Sequence, residues 1–371
     1  MNRLALILAA ACAAAALAAR PAACPQGAFA EDIRLRLATA ADPLPPHARP
    51  ERGKKMDLPD VDDLPANPAP PDPLTMLDGR RAATRTQWER ERRPELRRLF
   101  QHYMYGFAPP APRQLRVQPD APDTPALGGK GLIRQAALHF GPQGTPPIHL
   151  MLVLPARRSG RVPVFLGIAF CGNQAVLPDP VIRISTAWQY PNAPGIVDNR
   201  ATPASRGTMA RVWNVEQAID RGYAVATFYN GDVDPDRNDF TDGVHPHFLT
   251  PGQTGPGPHD WGTIAAWAWG IQRAVDYLVR QPEIDGKRIA VVGHSRNGKT
   301  ALLAAALDDR IALVIPHQSG CGGAAPSRTT VGETVRQINT AFPHWFCDVF
   351  PRFNDQVERL PFDQHCLIAL V

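Results

Sequence analysis

A chain of 371 residues, 44% of them apolar, holds enough hydrophobic material for a sizeable core, which excludes a disordered or low-complexity protein. Its formal charge of +5 is small, and its Lys and Arg residues are mostly dispersed, which argues against a nucleic-acid-binding face. Beyond the N-terminal stretch no segment reaches the roughly eighteen consecutive apolar residues of a membrane span.

At the N-terminus, Met1-Asn2-Arg3 is followed by the apolar stretch Leu4 to Leu17 and by the small-x-small sequence Ala16-Leu17-Ala18. This is the pattern of a secretory signal peptide over residues 1–19, so the mature protein is expected in the periplasm or outside the cell. Export permits disulfides. Apart from Cys12 and Cys24, the chain carries Cys171, Cys321, Cys347 and Cys366, which form one of the possible pairings or remain buried free thiols. Residues 20–75 are rich in Pro, Ala and Asp, as in Asn67-Pro-Ala-Pro-Pro-Asp-Pro, and read as an extended leader. A helix fits Thr84 to Tyr105, where Trp88, Leu96, Leu99 and Phe100 recur among charges. The basic run at Arg80-Arg81 and Arg90 to Arg98 reads as a solvated helix face.

From residue 130 the pattern turns to strands. Leu132 to Phe140 and Ile148 to Leu154 flank a Gly-Pro turn, and Val162 to Phe170 is a continuous apolar run that ends at Cys171-Gly172-Asn173-Gln174. Gly222 to Tyr229 is a further buried strand, Trp261 to Arg280 a helix, and Arg288 to Val292 a strand. A helix to Leu307, a strand over Ile311 to Pro316, a helix over Thr334 to Phe350 broken at Pro343, and the opening of a strand at Ile368 to Val371 complete the order. Strands alternating with helices predict a layered α/β fold with a parallel sheet.

Residues 289–300, Ile-Ala-Val-Val-Gly-His-Ser-Arg-Asn-Gly-Lys-Thr, satisfy two motifs. Around Lys299, Gly293-x4-Gly298-Lys299-Thr300 is a phosphate loop, in which backbone N–H groups and a helix N-terminus cradle phosphates. Around Ser295, the same residues are the strand, turn and helix of a nucleophile elbow. Export, the position late in the chain, and the lack of a following strand that ends in Asp all count against a nucleotide. In the elbow reading Gly293 fits the position two before Ser295. The position two after it, usually Gly, is Asn297, a residue that tolerates left-handed backbone angles. The helix dipole and its N–H groups then face a developing oxyanion, with Arg296 as a further donor.

Gly-His-Ser-Arg-Asn-Gly-Lys-Thr, followed by Ser319-Gly-Cys-Gly-Gly-Ala-Ala, Gly332-Glu333-Thr334, Phe342-Pro-His-Trp-Phe-Cys347 and Leu360-Pro-Phe-Asp-Gln-His365, resembles the bacterial glucuronoyl esterases. These form carbohydrate esterase family fifteen and are often labelled acetylxylan esterases. The resemblance runs from about residue 74 to 371. It implies an α/β-hydrolase three-layer sandwich with a mostly parallel sheet, and hydrolysis of the ester between 4-O-methyl-glucuronic acid on xylan and lignin alcohols. It further implies Ser295 as nucleophile, Arg296 on the oxyanion side, and Lys299 and Glu333 as partners of the sugar hydroxyls. Lys299 follows Ser295 by one helical turn and so faces the same pocket.

The chain departs from that family at the rest of its triad. A Ser nucleophile needs a His base and an acid that orients it. The Glu that some members place before Ser-Gly-x-Gly-Gly is here Gln318. The family's other acid and its His fall beyond Val371, so the catalytic His and acid are expected outside this chain. His294 points away from Ser295 at an elbow, His317 ends the next strand, and His344 and His365 read as scaffold. His259 and Asp260 have no clear triad role. The expected organisation is therefore 1–19 signal peptide, 20–75 leader and 76–371 an α/β-hydrolase domain that lacks its last strands, with weak or absent activity. The expected partner is glucuronoxylan or a lignin–carbohydrate ester. No cofactor, metal, nucleic acid or membrane is expected, and the chain reads as a monomer. The competing readings are a catalytically dead carbohydrate-binding remnant and a nucleotide-binding protein that uses Gly293 to Thr300.

Overall fold

The computed structural model describes residues 58–112, 114–329 and 331–371, so the expected signal peptide and most of the expected leader lie outside the described residues. Ten strands are found there: β1 (Arg116–Pro119), β2 (Thr124–Ala126), β3 (Gly131–His139), β4 (Ile148–Pro155), β5 (Val162–Ala169), β6 (Ile196–Val197), β7 (Arg200–Ala201), β8 (Ala224–Tyr229), β9 (Ile284–His294) and β10 (Ile311–His317). The helices that matter to the site are α1 (Arg93–Phe100), α2 (Thr263–Leu278), α3 (Arg296–Leu307), α4 (Val335–Ala341) and α5 (Gln364–Ile368).

The main sheet runs β1-β3-β4-β8-β5-β9-β10, with β2 attached to β3, while β6 and β7 pair separately. β1 to β4 form the antiparallel side, and β8, β5, β9 and β10 are mutually parallel. Successive strand residues point to opposite faces, and β4 shows what that does here. Leu150, Leu152 and Leu154 enter the larger apolar core with α1, α2 and α3, while Met151 and Val153 enter a second core with Val176, Val215 and Ile219. Covering both faces makes a three-layer α/β-hydrolase sandwich. Among the described residues no helix is long and apolar enough to cross a membrane.

The helix expected over Thr84 to Tyr105 forms as one continuous run. Thr84 opens it with a capping box: its hydroxyl accepts from the Gln87 N–H at 3.2 Å, and the Gln87 side chain accepts from the Thr84 N–H at 3.1 Å. Trp88–Arg92 and Gln101–Tyr105, either side of α1, are wound as π-helix. Pro94 cannot donate to the preceding turn, and the widened winding before it accommodates that loss. The basic run is not a solvated face throughout. Arg92 is buried and bonded to Glu95 at 2.6 Å, Arg93 pairs with Asp309 at 2.7 Å, and Arg97 Nε donates at 2.7 Å to the Ala306 carbonyl. Arg97 thereby neutralises the negative end of α3.

Other expectations are corrected. Residues 58–75, assigned to the leader, pack on the domain: Val61 and Leu64 are buried, and the Asn67 N–H donates to the Glu358 carbonyl at 2.7 Å. A short 3₁₀ turn, Val61–Asp63, forms there, and the prolines do not exclude burial. The helix expected over Thr334 to Phe350 stops at Ala341, because Phe342 precedes a proline and takes φ −138°, ψ 68°. Ile368 to Val371 do not open a strand. Asp363 caps α5 instead, and Leu370 is buried beyond it. Cys171, Cys321, Cys347 and Cys366 are all buried and free. Burial pushes the Cys347 and Cys321 thiols up, to about 11 and about 12.

Candidate active site

β9 ends at His294 and α3 begins at Arg296, which leaves Ser295 as the whole turn between strand and helix. It sits at φ 54°, ψ −123°, a conformation that strains any residue with a side chain. Close packing enforces it. A Cβ on Gly293 would lie 1.9 Å from the Asn297 carbonyl oxygen, and one on Gly298 would lie 2.9 Å from that of His317. Asn297 itself is helical and buried, and its Nδ2 donates to the Ile168 carbonyl at 3.1 Å. Its tolerance of left-handed angles is therefore not what permits the turn; Ser295 carries the strain. The Ser295 N–H is held by the His317 carbonyl at 3.0 Å, and its Oγ has no hydrogen-bond partner among the described residues. Arg296, first in α3, has an N–H that lies outside the i→i−4 ladder.

The Arg296 guanidinium is tightly placed. It pairs with Asp236 and lies over three rings: Trp345 at 4.8 Å, Phe342 at 5.1 Å and Tyr190 at 5.6 Å. Phe342 and Trp345 stack at 3.7 Å. Asp236 is 8% exposed, and its Oδ1 also accepts from Trp345 Nε1 at 2.9 Å and His344 Nε2 at 3.0 Å. Burial alone would raise its carboxyl, but the His344 hydrogen bond, the Arg296 charge and the Trp345 hydrogen bond outweigh burial and hold it below the usual value.

The loop after β8 positions Asp236. Asp234, two residues earlier, accepts from the Thr263 hydroxyl at 2.6 Å, and its carbonyl accepts from Trp267 Nε1 at 2.7 Å, which fastens the loop to the start of α2. Asp232 is buried deeper, and burial pushes its carboxyl up to about 7. An acid whose value rises on folding favours the fold fully below its free value of 3.8 and loses that support as pH climbs through about 7. Asn at 232 keeps an acceptor for the His149 N–H, so Asp232→Asn is expected to raise unfolding stability at pH 8 by at least about 1 kcal/mol and leave pH 4 nearly unchanged. Chemical denaturation at the two pH values checks this.

Lys299, one turn into α3, is 4% exposed, and its Nζ donates to the Ser319 and Cys321 carbonyls at 2.5 and 2.6 Å. Gly320 and Gly322, at φ 57° and 69°, turn those carbonyls inward, which is what the Ser-Gly-Cys-Gly-Gly loop achieves. Burial lowers the amine to about 8, against the opposing charge of Glu333. The phosphate-loop reading fails on this geometry. Two of the three Lys299 ammonium protons are held by protein carbonyls, and the N–H groups of Ser295, Gly298 and Lys299 already have backbone acceptors. Glu333 is exposed, just before α4. Ser295, Arg296 and Lys299 are thus gathered on the first turns of α3, and the Glu333 charge acts on the Lys299 amine.

No histidine is hydrogen-bonded to Ser295 Oγ among the described residues. His294 and His317 are register partners at the ends of β9 and β10, with their Nδ1 atoms 3.0 Å apart. Partial burial, then His317, lowers the His294 imidazole. His344 serves Asp236, His365 Nε2 meets the Pro71 carbonyl at 2.8 Å, and His259 Nδ1 meets that of His102 at 2.9 Å. Asp260 accepts from the Gly257 N–H at 2.7 Å. Gln318 is exposed after β10, at φ 47°. Sequence reading missed Asp236 and the aromatic wall. The alternating acids Asp232, Asp234 and Asp236 directly after a buried strand were the available signal.

The sheet order, the elbow and the helix N-terminus beneath Ser295 define the chain as an α/β-hydrolase. A family model described as "Glucuronyl esterase, fungi" matches residues 192–371. The carbohydrate esterase MZ0003, from an unknown prokaryotic organism, is 47% identical over 302 residues, which is 81% of this chain and 70% of that relative. The 4-O-methyl-glucuronoyl methylesterase of Neurospora crassa is 29% identical over 310 residues, covering 81% of this chain and 64% of its own. Among solved structures, a promiscuous esterase of carbohydrate esterase family fifteen from a marine bacterial metagenome is similar at TM-score 0.75 and 46% identity, covering 84% of this chain and 78% of that one. The glucuronoyl esterase of Solibacter usitatus matches at TM-score 0.76 and 37% identity, covering 84% and 79%. The chain belongs to the glucuronoyl esterases, carbohydrate esterase family fifteen, and is a carboxylic ester hydrolase.

Proposed function

We propose that this chain is an exported esterase that cleaves 4-O-methyl-glucuronoyl esters of xylan through an acyl-enzyme on Ser295. The observation that carries the reading is the strained Ser295 backbone, which lifts Oγ at the start of α3 beside a fixed guanidinium. In the proposed reaction Ser295 Oγ attacks the ester carbonyl. The Arg296 N–H, a backbone N–H of the loop after β5 and the Arg296 guanidinium receive the charge that develops on oxygen. The alcohol leaves carrying the proton that Oγ gives up, and water then cleaves the acyl–Oγ bond, which releases the uronic acid and restores the Ser295 hydroxyl. Lys299 and Glu333 meet sugar hydroxyls; a substrate hydroxyl suits the third Lys299 proton, since two are held by carbonyls. The base and acid that serve Ser295 are not among the groups hydrogen-bonded to it here. The name of the Neurospora crassa relative supports the substrate class.

The test is hydrolysis of a benzyl glucuronate ester by the full chain and by Ser295→Ala. Turnover that disappears in the variant supports the esterase reading. Uronate binding with no turnover in either protein would replace it with a binding role.

A further inference from the structure

A recess of about 520 Å³ lies apart from Ser295. α2 and α3 both start from the C-terminal edge of the parallel strands, the edge at which ligands bind in open α/β sheets. His259 enters the recess from the segment just before α2, and His102 from the end of the helical run that carries α1. Asp348 and Val349 line it three and four residues after Trp345, the ring that packs on Arg296. The recess and the catalytic cluster therefore share one stretch of chain, and its volume lies within the range of small-ligand pockets.

Its chemistry is specific. The His102 and His259 rings stack with centroids 4.0 Å apart and planes 19° apart. His259 Nδ1 faces a carbonyl at 2.9 Å and must donate to it. Burial, then His259 and Arg98, lowers the His102 imidazole to about 4, so that ring is neutral at pH 7. The guanidinium of the wall, Arg352, is taken by Asp60 at 2.5 and 2.8 Å. Asp348 is exposed and has no hydrogen-bond or ion-pair partner among the described residues. The wall thus offers acceptors and one uncompensated negative charge, with a flat stacked pair and Val349 as apolar surface. It suits hydroxyl donors on a ring and disfavours anions.

We propose that this recess is a second saccharide site that takes neutral pyranosyl units of a polysaccharide main chain, while the charged uronate occupies the Ser295 site. The choice of a xylan chain rests on the proposed function; the recognition of a neutral sugar does not. The experiment is titration of a neutral, unesterified xylo-oligosaccharide into the full chain at pH 7, followed by NMR shifts or calorimetry. Saturable binding is expected. Asp348→Ala and His259→Ala should each weaken it at least about tenfold, and Ser295→Ala should leave it intact. Glucuronate should not compete. Asp348 makes no internal bond, so its replacement leaves the fold in place and keeps the test open if His259→Ala unfolds. No saturable binding, or binding that both variants retain, overturns the proposal. A chain that binds the oligosaccharide yet hydrolyses no ester would fail the esterase reading alone.

Discussion

Asp236→Ala is expected to destabilise the chain by about 3–5 kcal/mol and to lower ester turnover by roughly 10²-fold or more. The stability loss follows from burial. Asp236 is 8% exposed and binds Arg296, His344 and Trp345 at once, so its removal strands a guanidinium and two N–H donors without an acceptor. The turnover loss follows from placement, because the three rings around Arg296 fix where the guanidinium lies but only Asp236 fixes which way it points. Asp236→Asn separates the two effects. It keeps the volume and one acceptor oxygen but loses the charge, so kcat should fall further than KM rises. The effect also has a pH signature. A carboxyl held below its usual 3.8 contributes stability that is complete above about pH 4 and drains away as acid protonates it. Urea midpoints of the wild type and Asp236→Ala should therefore differ most near pH 7 and converge as pH falls below 4.

Gly293→Ala is the second large effect. The added methyl would sit 1.9 Å from the Asn297 oxygen and 2.3 Å from its carbonyl carbon, both backbone atoms that cannot rotate aside. The first turn of α3 must move, and Ser295 with it. We expect a loss of about 3 kcal/mol or more, together with loss of Ser295 modification by a serine-reactive phosphonate, read by intact-protein mass. Gly298→Ala is the milder companion. Its nearest contact is 2.9 Å, so partial labelling should survive. Equal labelling of wild type and Gly293→Ala would remove the elbow from the account.

The central parallel strands β5 and β8 were legible in sequence because they are buried on both faces and read as unbroken apolar runs, as Val162 to Ala169 does. The elbow was legible because backbone proximity demands glycine, and glycine is visible in sequence. Two kinds of feature were not legible. β1 is exposed along its whole length and carries no apolar alternation. Asp236 acts across more than a hundred residues, on His344 and Trp345, and no local pattern records such a pairing. Helical periodicity put Lys299 one turn after Ser295, and it does lie in the first turns of α3. Its carbonyl partners depend on how the loop at Ser319 folds back, and spacing alone does not state that.

The four unbridged sulfurs carry a practical consequence. Cys171, Cys321, Cys347 and Cys366 are each sealed in the interior, so the described fold draws its cohesion from packing and ion pairs and needs no oxidant to assemble. A chain made under reducing conditions should match one made under oxidising conditions in melting temperature, and added dithiothreitol should leave that temperature unmoved.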